Sequence, residues 1–468
     1  MIDYSGTYTD QYQLSMAQTY FLKGQKNESA VFDYFFRKLP YGSGYAIFAG
    51  LDDLIDAIAN LRFNECDIDY LSQQNYHPEF IEYLKNFCFN GDIFAVAEGD
   101  LVFPNEPILR VSATIIEAQL IETLILNILN FQTLIATKAR RIRQVAGKNK
   151  RLLEFGLRRA QGTAGLHASK AAIIGGFDAT SNVRAGRDYG IDVAGTMAHS
   201  YIQSHDSELA AFRDFAAINP DNCVVLVDTY NTLKSGLPNA ITLAKEMEKK
   251  GKRLKAIRLD SGDLAYLAKK ARHMLDDAGL GYVKIAASNQ LDEYLIKSLD
   301  EQQAPIDIFG IGTNLVIGSP DGALDGVYKL ALSGKKARIK LSETITKTTL
   351  PDIKQIHRLY DDEGMFLGAD CISLIDESTP HAMFHPFEPN KSMEIKAFAQ
   401  ETLLQKIIDK GRRCQPAQTL STIAAFSEKR MRLLPDEYKR FNYPHLYKIG
   451  ISRALKEKRD RLIARHKV

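Results

Sequence analysis

The chain has 468 residues, 45% hydrophobic and 25% charged, with a formal net charge of +3. That length can bury large cores in two or three domains, and the composition is ordinary for a globular enzyme. The small net charge argues against nucleic acid or a membrane surface as a partner.

From the start, Met1–Asp10 has neither a basic segment nor an apolar core, so no secretory signal is expected. Asp10–Lys23 reads as a helix with Leu14, Ala17 and Phe21 on one face. Gly91–Val111 reads as a small β-unit broken by Glu98-Gly99-Asp100 and Pro104–Pro107 turns. Helical runs follow over Ile115–Ile128 and Thr133–Val145. The longest apolar run, Leu120–Leu129, is interrupted by Glu122, Thr123 and Asn127, so no membrane span is expected. Five scattered cysteines, with no CxxC pair, fit a reducing compartment. A cytoplasmic protein is the expectation.

From Lys150 to about Ile317, strands and helices alternate. The expected strands are Arg151–Phe155, Phe177–Thr180, Asp192–Gly195, Cys223–Asp228, Ala256–Asp260, Val283–Ala287 and Ile306–Gly310. Helical stretches between most of them point to a parallel α/β sheet. Periodicity leaves both a barrel and an open doubly wound sheet; the barrel is the expectation. Beyond Pro320 come strands at Gly326–Leu332, Ala337–Leu341, Gln355–Tyr360 and Cys371–Ile375, then a helical stretch. Its basic end, Arg453–Lys467, reads as a solvated amphipathic helix. His381 and His385 are expected on a surface loop.

Active sites of barrels and α/β sheets form where the parallel strands end. Those ends carry Phe155–Arg159, Thr180-Ser181-Asn182, Thr196 with His199, Asp228-Thr229, Arg258–Asp263, Ser288-Asn289 and Gly310–Asn314. Small, hydroxylated and charged residues thus converge on one face, which argues for an enzyme. His199, in Gly195-Thr-Met-Ala-His-Ser200, falls in the first turn of a helix. Unpaired N–H groups there disfavour imidazolium and favour anions. The bland alternative is a turn whose histidine packs or caps. Gly310–Asn314 can cradle a phosphate, and Arg158 and Arg159 can clamp phosphate oxygens, unless they are a plain turn and a solvated pair. Asp260 and Asp263 can face Mg²⁺ or ribose hydroxyls; the alternative is an N-cap with a neighbouring acid. Cys223–Asp228 looks like a phosphoribosyl pyrophosphate signature but lacks its second acid, since Thr229 follows.

Thr9-Asp-Gln-Tyr-Gln13, Glu154-Phe-Gly-Leu-Arg-Arg159, Gly176–Val183, Gly195–His199, Val227-Asp-Thr-Tyr-Asn-Thr232 and Arg258–Asp263 resemble the motifs of nicotinate phosphoribosyltransferases. Ser288-Asn289, Gly310–Thr313, Lys340–Glu343 and Lys347–Pro351 continue the likeness. The resemblance implies an incomplete parallel α/β barrel, residues 138–320, with a second α+β domain built from both chain ends, 1–137 and 321–468. It implies ATP-coupled transfer of phosphoribosyl from phosphoribosyl pyrophosphate to nicotinate, with Mg²⁺, in a homodimer with composite sites.

Residue by residue, His199 resembles the family's phosphorylated histidine, and Asp228 resembles the aspartate that hydrogen-bonds it. Phe155 and Tyr12 resemble the aromatics on the two faces of the pyridine, Tyr12 being supplied by the partner subunit. Thr196 and Arg258 resemble nicotinate contacts, and Arg158 a phosphoribosyl contact. Asn289, Gly312 and Thr313 are expected substrate contacts, the last in the phosphate loop. Asp260, with Asp263 as a metal ligand, is expected to steady developing charge or hold ribose. Ser181 stands where the nicotinamide-using relative has an aspartate, which favours a carboxylate substrate. A nicotinamide or quinolinate enzyme, or a silent nucleotide-binding homologue, are the competing readings.

Overall fold

The computed structural model describes residues 4–377 and 379–466. Met1–Asp3 of the expected signal-free start and Lys467 of the expected basic tail lie outside the described residues. Two compact units emerge, Met1–Thr137 with Ala323–Val468, and Lys138–Gly322.

In Lys138–Gly322, six parallel strands form one sheet: β1 (Arg151–Glu154), β2 (Ala179–Thr180), β3 (Val224–Leu226), β4 (Ala256–Leu259), β5 (Lys284–Ala287) and β6 (Ile308–Ile311). Their order is β2-β1-β6-β5-β4-β3. Leu152, Val225, Ile257, Ile285 and Ile311 are fully or almost fully buried, the signature of parallel strands covered by helices. Helices Ala164–Ile174, Leu237–Lys249, Leu264–Asp277 and Glu293–Glu301 supply that cover.

The seventh expected strand, Asp192–Gly195, is reduced to one parallel bridge between Val193 and Thr180. Asp192 and Val193 are exposed, so no burial rewards a longer ladder there. Two residues on, the Thr196 hydroxyl donates to the Val224 carbonyl on β3, at the opposite edge of the sheet. The barrel is therefore incomplete, its seam crossed by a side chain instead of a strand pair.

In the other unit, Gly326–Ser333 lies antiparallel to Ser29–Phe36, Tyr34 opposite Tyr328, inside a seven-stranded sheet that Gln405–Asp409 also joins through Asp92–Ala95. Strands from the two chain ends thus share one sheet. The Phe32 and Tyr328 rings stack in its core with centroids 4.7 Å apart. Two helical runs expected on either side of residues 129–132 are one continuous helix, Glu122–Ala146. The polar residues that interrupt the pattern have partners: Asn130 accepts from the Tyr34 hydroxyl and Gln132 donates to Asp53. Consequently Ile115–Ala146 is, by length and composition, apolar enough to cross a membrane, which corrects the expectation of no such run. Most of its apolar window is buried inside the protein.

The stretch after Ile375 also departs from expectation. Five short strands between Ala382 and Arg413 precede the helices Leu420–Leu433, Asp436–Lys439 and Arg453–His466. The His381–His385 segment is a strand, Ala382–Phe384, paired with Ser392–Glu394, and the His385 Nδ1 accepts from the amides of Phe387 and Glu388. The expected strand Ala337–Leu341 shrinks to Lys336–Ala337.

A buried charge knot ties the two ends of the chain inside this unit. Arg358, wholly buried, donates to Asp100 at 2.9 Å, to Asp370 at 2.9 Å and to the Leu101 carbonyl at 2.8 Å. Arg430 donates to Asp100 at 2.7 Å, and the Tyr447 hydroxyl to Asp370 at 2.7 Å. Burial, with Asp370 beside it, pushes the Glu106 carboxyl well above the usual carboxylate range. Removing one member strands the others. Arg358→Ala should destabilise the chain by about 3–5 kcal/mol through the carboxylates left unpaired. A large fall in the urea midpoint, at unchanged slope, is the expected result.

Candidate active site

The barrel register decides which side chains meet. In the parallel pairing of β3 with β4, Leu226 is opposite Arg258, and in that of β4 with β5, Arg258 is opposite Ala286. Two residues further along each strand come Asp228, Asp260 and Ser288, at one level of the rim. The Asp228 carboxylate accepts from the Asp260 amide at 3.0 Å and from the Ser261 hydroxyl, continuing the ladder through a side chain. The other Asp228 oxygen, Oδ1, is buried without a hydrogen-bond partner.

Arg258 is held from several sides. It donates to Asp260 Oδ1 at 2.9 Å, to Ser288 Oγ at 2.9 Å, and to the Met197 carbonyl at 3.5 Å. Ser288 in turn donates to Asp260 Oδ1. The Arg258 guanidinium sits 5.8 Å from the centroid of the half-buried Phe155 ring. A flat apolar face beside an oriented cation suits an aromatic acid, for which a guanidinium is the matching partner.

Phe155 has its position because two glycines make way for it. A Cβ on Gly310 would fall 2.6 Å from the ring, and one on Gly312 would fall 2.9 Å from the Phe155 carbonyl oxygen. The pair expected to cradle phosphate thus has a packing reason as well. Gly312 also caps the four-residue helix Thr313–Val316, whose first residue is Thr313. Asn289 is exposed in a left-handed conformation at φ 86°, followed by Gln290 at φ 53°. Asn314 donates to the Gln290 carbonyl at 2.9 Å and pins this strained turn.

His199 comes to the same rim from the seam. It opens a helix of only five residues, His199–Gln203, and Glu208–Ile218 follows as a separate helix. So short a helix has little macrodipole, and hydrogen bonding is the stronger constraint on the ring. His199 Nδ1 lies 3.1 Å from Thr229 Oγ1, while Nε2 is 3.8 Å from Asp260 Oδ2. The expected Asp228–His199 bond is not formed; the aspartate is turned to the Asp260 turn, and its sequence neighbour meets the ring.

Two further expectations change. The Asp263 side chain accepts from the Tyr266 amide at 3.0 Å through Oδ1 and N-caps Leu264–Asp277. The Thr196 hydroxyl, expected on the substrate, donates its proton to the seam. Among the described residues no group of three or more His, Cys, Asp or Glu side chains is arranged around a metal.

Ser181 is half-buried and takes its amide to the Glu154 carbonyl at 2.9 Å. Arg158 is exposed on the turn after Phe155. Tyr12 belongs to the other unit, on the helix Gln11–Leu22, where its exposed ring donates to Glu122 at 3.3 Å. Burial and Glu122 push that phenol up to about 12. Sequence reasoning missed Glu154, fully buried at the end of β1, which accepts from Ser169, Thr180 and the Gly156 amide. An acid directly after the apolar pair Leu152-Leu153 is the available signal. Ser288 and Thr229 lie in the strand-end motifs but carry no individual role in the sequence reading.

Three family profiles match the chain: the nicotinate phosphoribosyltransferase N-terminal domain over residues 7–130, the nicotinate phosphoribosyltransferase family over 150–363, and the C-terminal domain over 353–459. A Bacillus subtilis (strain 168) protein named nicotinate phosphoribosyltransferase is 44% identical over 457 residues, covering 95% of this chain and 92% of that one. The crystal structure of human nicotinic acid phosphoribosyltransferase superposes with a TM-score of 0.88 at 31% identity, over 97% of this chain and 99% of that chain. That of nicotinate-nucleotide pyrophosphorylase from Pyrococcus furiosus, at 22% identity and a TM-score of 0.72 over 92% and 95%, shares the fold. With its rim geometry carried on this barrel and its relatives matching from end to end, the chain belongs to the nicotinate phosphoribosyltransferase family.

Proposed function

We propose that the chain transfers phosphoribosyl from phosphoribosyl pyrophosphate to nicotinate, giving nicotinate mononucleotide and pyrophosphate in NAD salvage. The observation that carries this is Arg258, oriented by Asp260 and Ser288 beside the Phe155 ring. Ring and guanidinium together read a pyridine that bears a carboxylate. Ser181 adds a hydroxyl donor where an acid would repel that carboxylate.

In the transfer, the pyridine nitrogen forms a bond to the anomeric carbon as the carbon–oxygen bond to pyrophosphate breaks, and pyrophosphate leaves with the electron pair. Positioning and charge stabilisation supply most of such a rate enhancement. Asp260 steadies the developing positive charge on the ribose. Arg158, Asn289, Gly312 and Thr313 hold the phosphate groups. Mg²⁺ fits here as an ion held by one or two carboxylates together with the substrate's phosphates. Asp260 and the unpartnered Asp228 Oδ1 are the candidate oxygens. When bound, the ion neutralises charge on the leaving pyrophosphate.

Coupling to ATP is the second part of the proposal, and places the enzyme among the ligase-type transferases. His199 Nε2 bonds to the γ-phosphorus as the bond to the β-phosphate oxygen breaks, ADP leaves, and water later cleaves the phosphohistidine. Its ring is 41% exposed, so a nucleotide has access. The remaining elements are a cytoplasmic homodimer and composite sites, in which the partner's Tyr12 stacks on the pyridine face opposite Phe155.

His199→Ala should abolish acid-labile labelling from γ-phosphate-labelled ATP and the stimulation by ATP, while ATP-independent transfer persists. Equal labelling of both proteins would sink the assignment. Arg258→Ala should lower kcat/KM for nicotinate by roughly ten- to a hundredfold, the worth of a charge-assisted bond at ~1.5–3 kcal/mol. Steady-state kinetics at fixed phosphoribosyl pyrophosphate check it.

Mixing Tyr12 and His199 variants, each lacking ATP-coupled transfer, should restore that activity toward one intact site per mixed dimer, as two-fold symmetry requires. A charged replacement at Tyr12 suits this test, because stacking is worth only ~0.5–1.5 kcal/mol beyond burial. Subunit exchange without recovery would place Tyr12 in its own subunit's site or in none.

A further inference from the structure

Asp228 and Thr229 are consecutive, and their side chains serve different groups. Asp228 sits beside the Asp260 turn and accepts both its amide and the Ser261 hydroxyl. Thr229 offers the polar atom within hydrogen-bond distance of His199 Nδ1, at 3.1 Å. A hydroxyl and a carboxylate are not equivalent partners for an imidazole. The carboxylate favours the charged ring, which has no lone pair to attack with; the hydroxyl fixes the ring direction without adding charge.

We propose that Thr229, and not Asp228, is the positioning residue for His199, accepting a hydrogen bond from Nδ1–H and leaving Nε2 unprotonated. Asp228 is then the positioning residue for Asp260. The phosphorylation consequence rests on the phosphohistidine reading above; the tautomer assignment does not. Beyond 3.5 Å from Asp260, Nε2 is free of any hydrogen bond to that carboxylate and keeps its lone pair for an incoming electrophile. The groups facing the ring are thereby sorted, with a neutral hydroxyl at one nitrogen and a carboxylate at a distance from the other.

The test is a long-range ¹H–¹⁵N spectrum of the full chain labelled at its ten histidine rings, at a pH where they are neutral. His199→Ala identifies the His199 signals by their loss. The wild type should show protonated Nδ1 and bare Nε2. Thr229→Val should shift the ring toward the Nε2–H form, Thr229→Ser should restore it, and Asp228→Ala should leave it unchanged. In parallel, the initial rate of labelling by γ-phosphate-labelled ATP should fall roughly tenfold in Thr229→Val, the size of one neutral hydrogen bond, and recover in Thr229→Ser.

A tautomer that moves in Asp228→Ala but not in Thr229→Val overturns the proposal. If the wild type takes up no label while the tautomer responds as stated, the positioning role stands and the phosphohistidine reading falls. If the Thr229 and Asp228 variants label like the wild type, His199→Ala does not label, and Thr229→Val leaves the tautomer unchanged, the positioning role falls and the phosphohistidine stands.

Discussion

The Asp260 carboxylate organises the barrel rim. Its amide is fixed by Asp228, one oxygen takes the Arg258 guanidinium and the Ser288 hydroxyl, and the other faces His199 across 3.8 Å. Side chains from β3, β4, β5 and the seam segment therefore depend on one group for their relative placement. In a half-buried setting such charge-assisted bonds hold geometry more strongly than neutral ones. The arrangement also explains why Arg258 is usable. Its cation is compensated before any ligand arrives, so burial costs little, and part of its donor fork stays open.

Much of the barrel could be read from the chain, because a buried parallel strand leaves a continuous apolar run and ends in a polar turn. Six of the seven expected strands form ladders, and the seventh survives as a bridge at Val193. The site was legible as a set of strand ends, since parallel strands deliver all their C-terminal ends to one face. Which end meets which was not legible. Whether His199 meets Asp228 or Thr229 depends on how two consecutive side chains diverge, and residue type does not encode that.

Asp263 illustrates a second limit. An acid before a helix suits a cap and a metal equally well in sequence, and the cap shows only in the bond from the Tyr266 amide at 3.0 Å. The C-terminal strands were missed for another reason. Ser392–Glu394 and Gln405–Asp409 are short and polar, with exposed faces, so they carry no apolar alternation. Their pairing is set by neighbouring strands that the local sequence cannot announce. The knot around Arg358 is equally silent, because its members come from residues more than two hundred positions apart.

The barrel's open seam gives the rim unequal stiffness. Each ladder strand is held along its length by backbone bonds on one or both sides, whereas the Gly195–Ala198 stretch is tied to the strands by side chains, Thr196 to the Val224 carbonyl and Arg258 to the Met197 carbonyl. A net neutral hydrogen bond is worth only on the order of 1 kcal/mol, so the Thr196 bond is a weaker tie than a strand ladder. The two sides of the rim are thus held by different means, Arg258 by a strand ladder and His199 by a short seam helix whose ring meets Thr229.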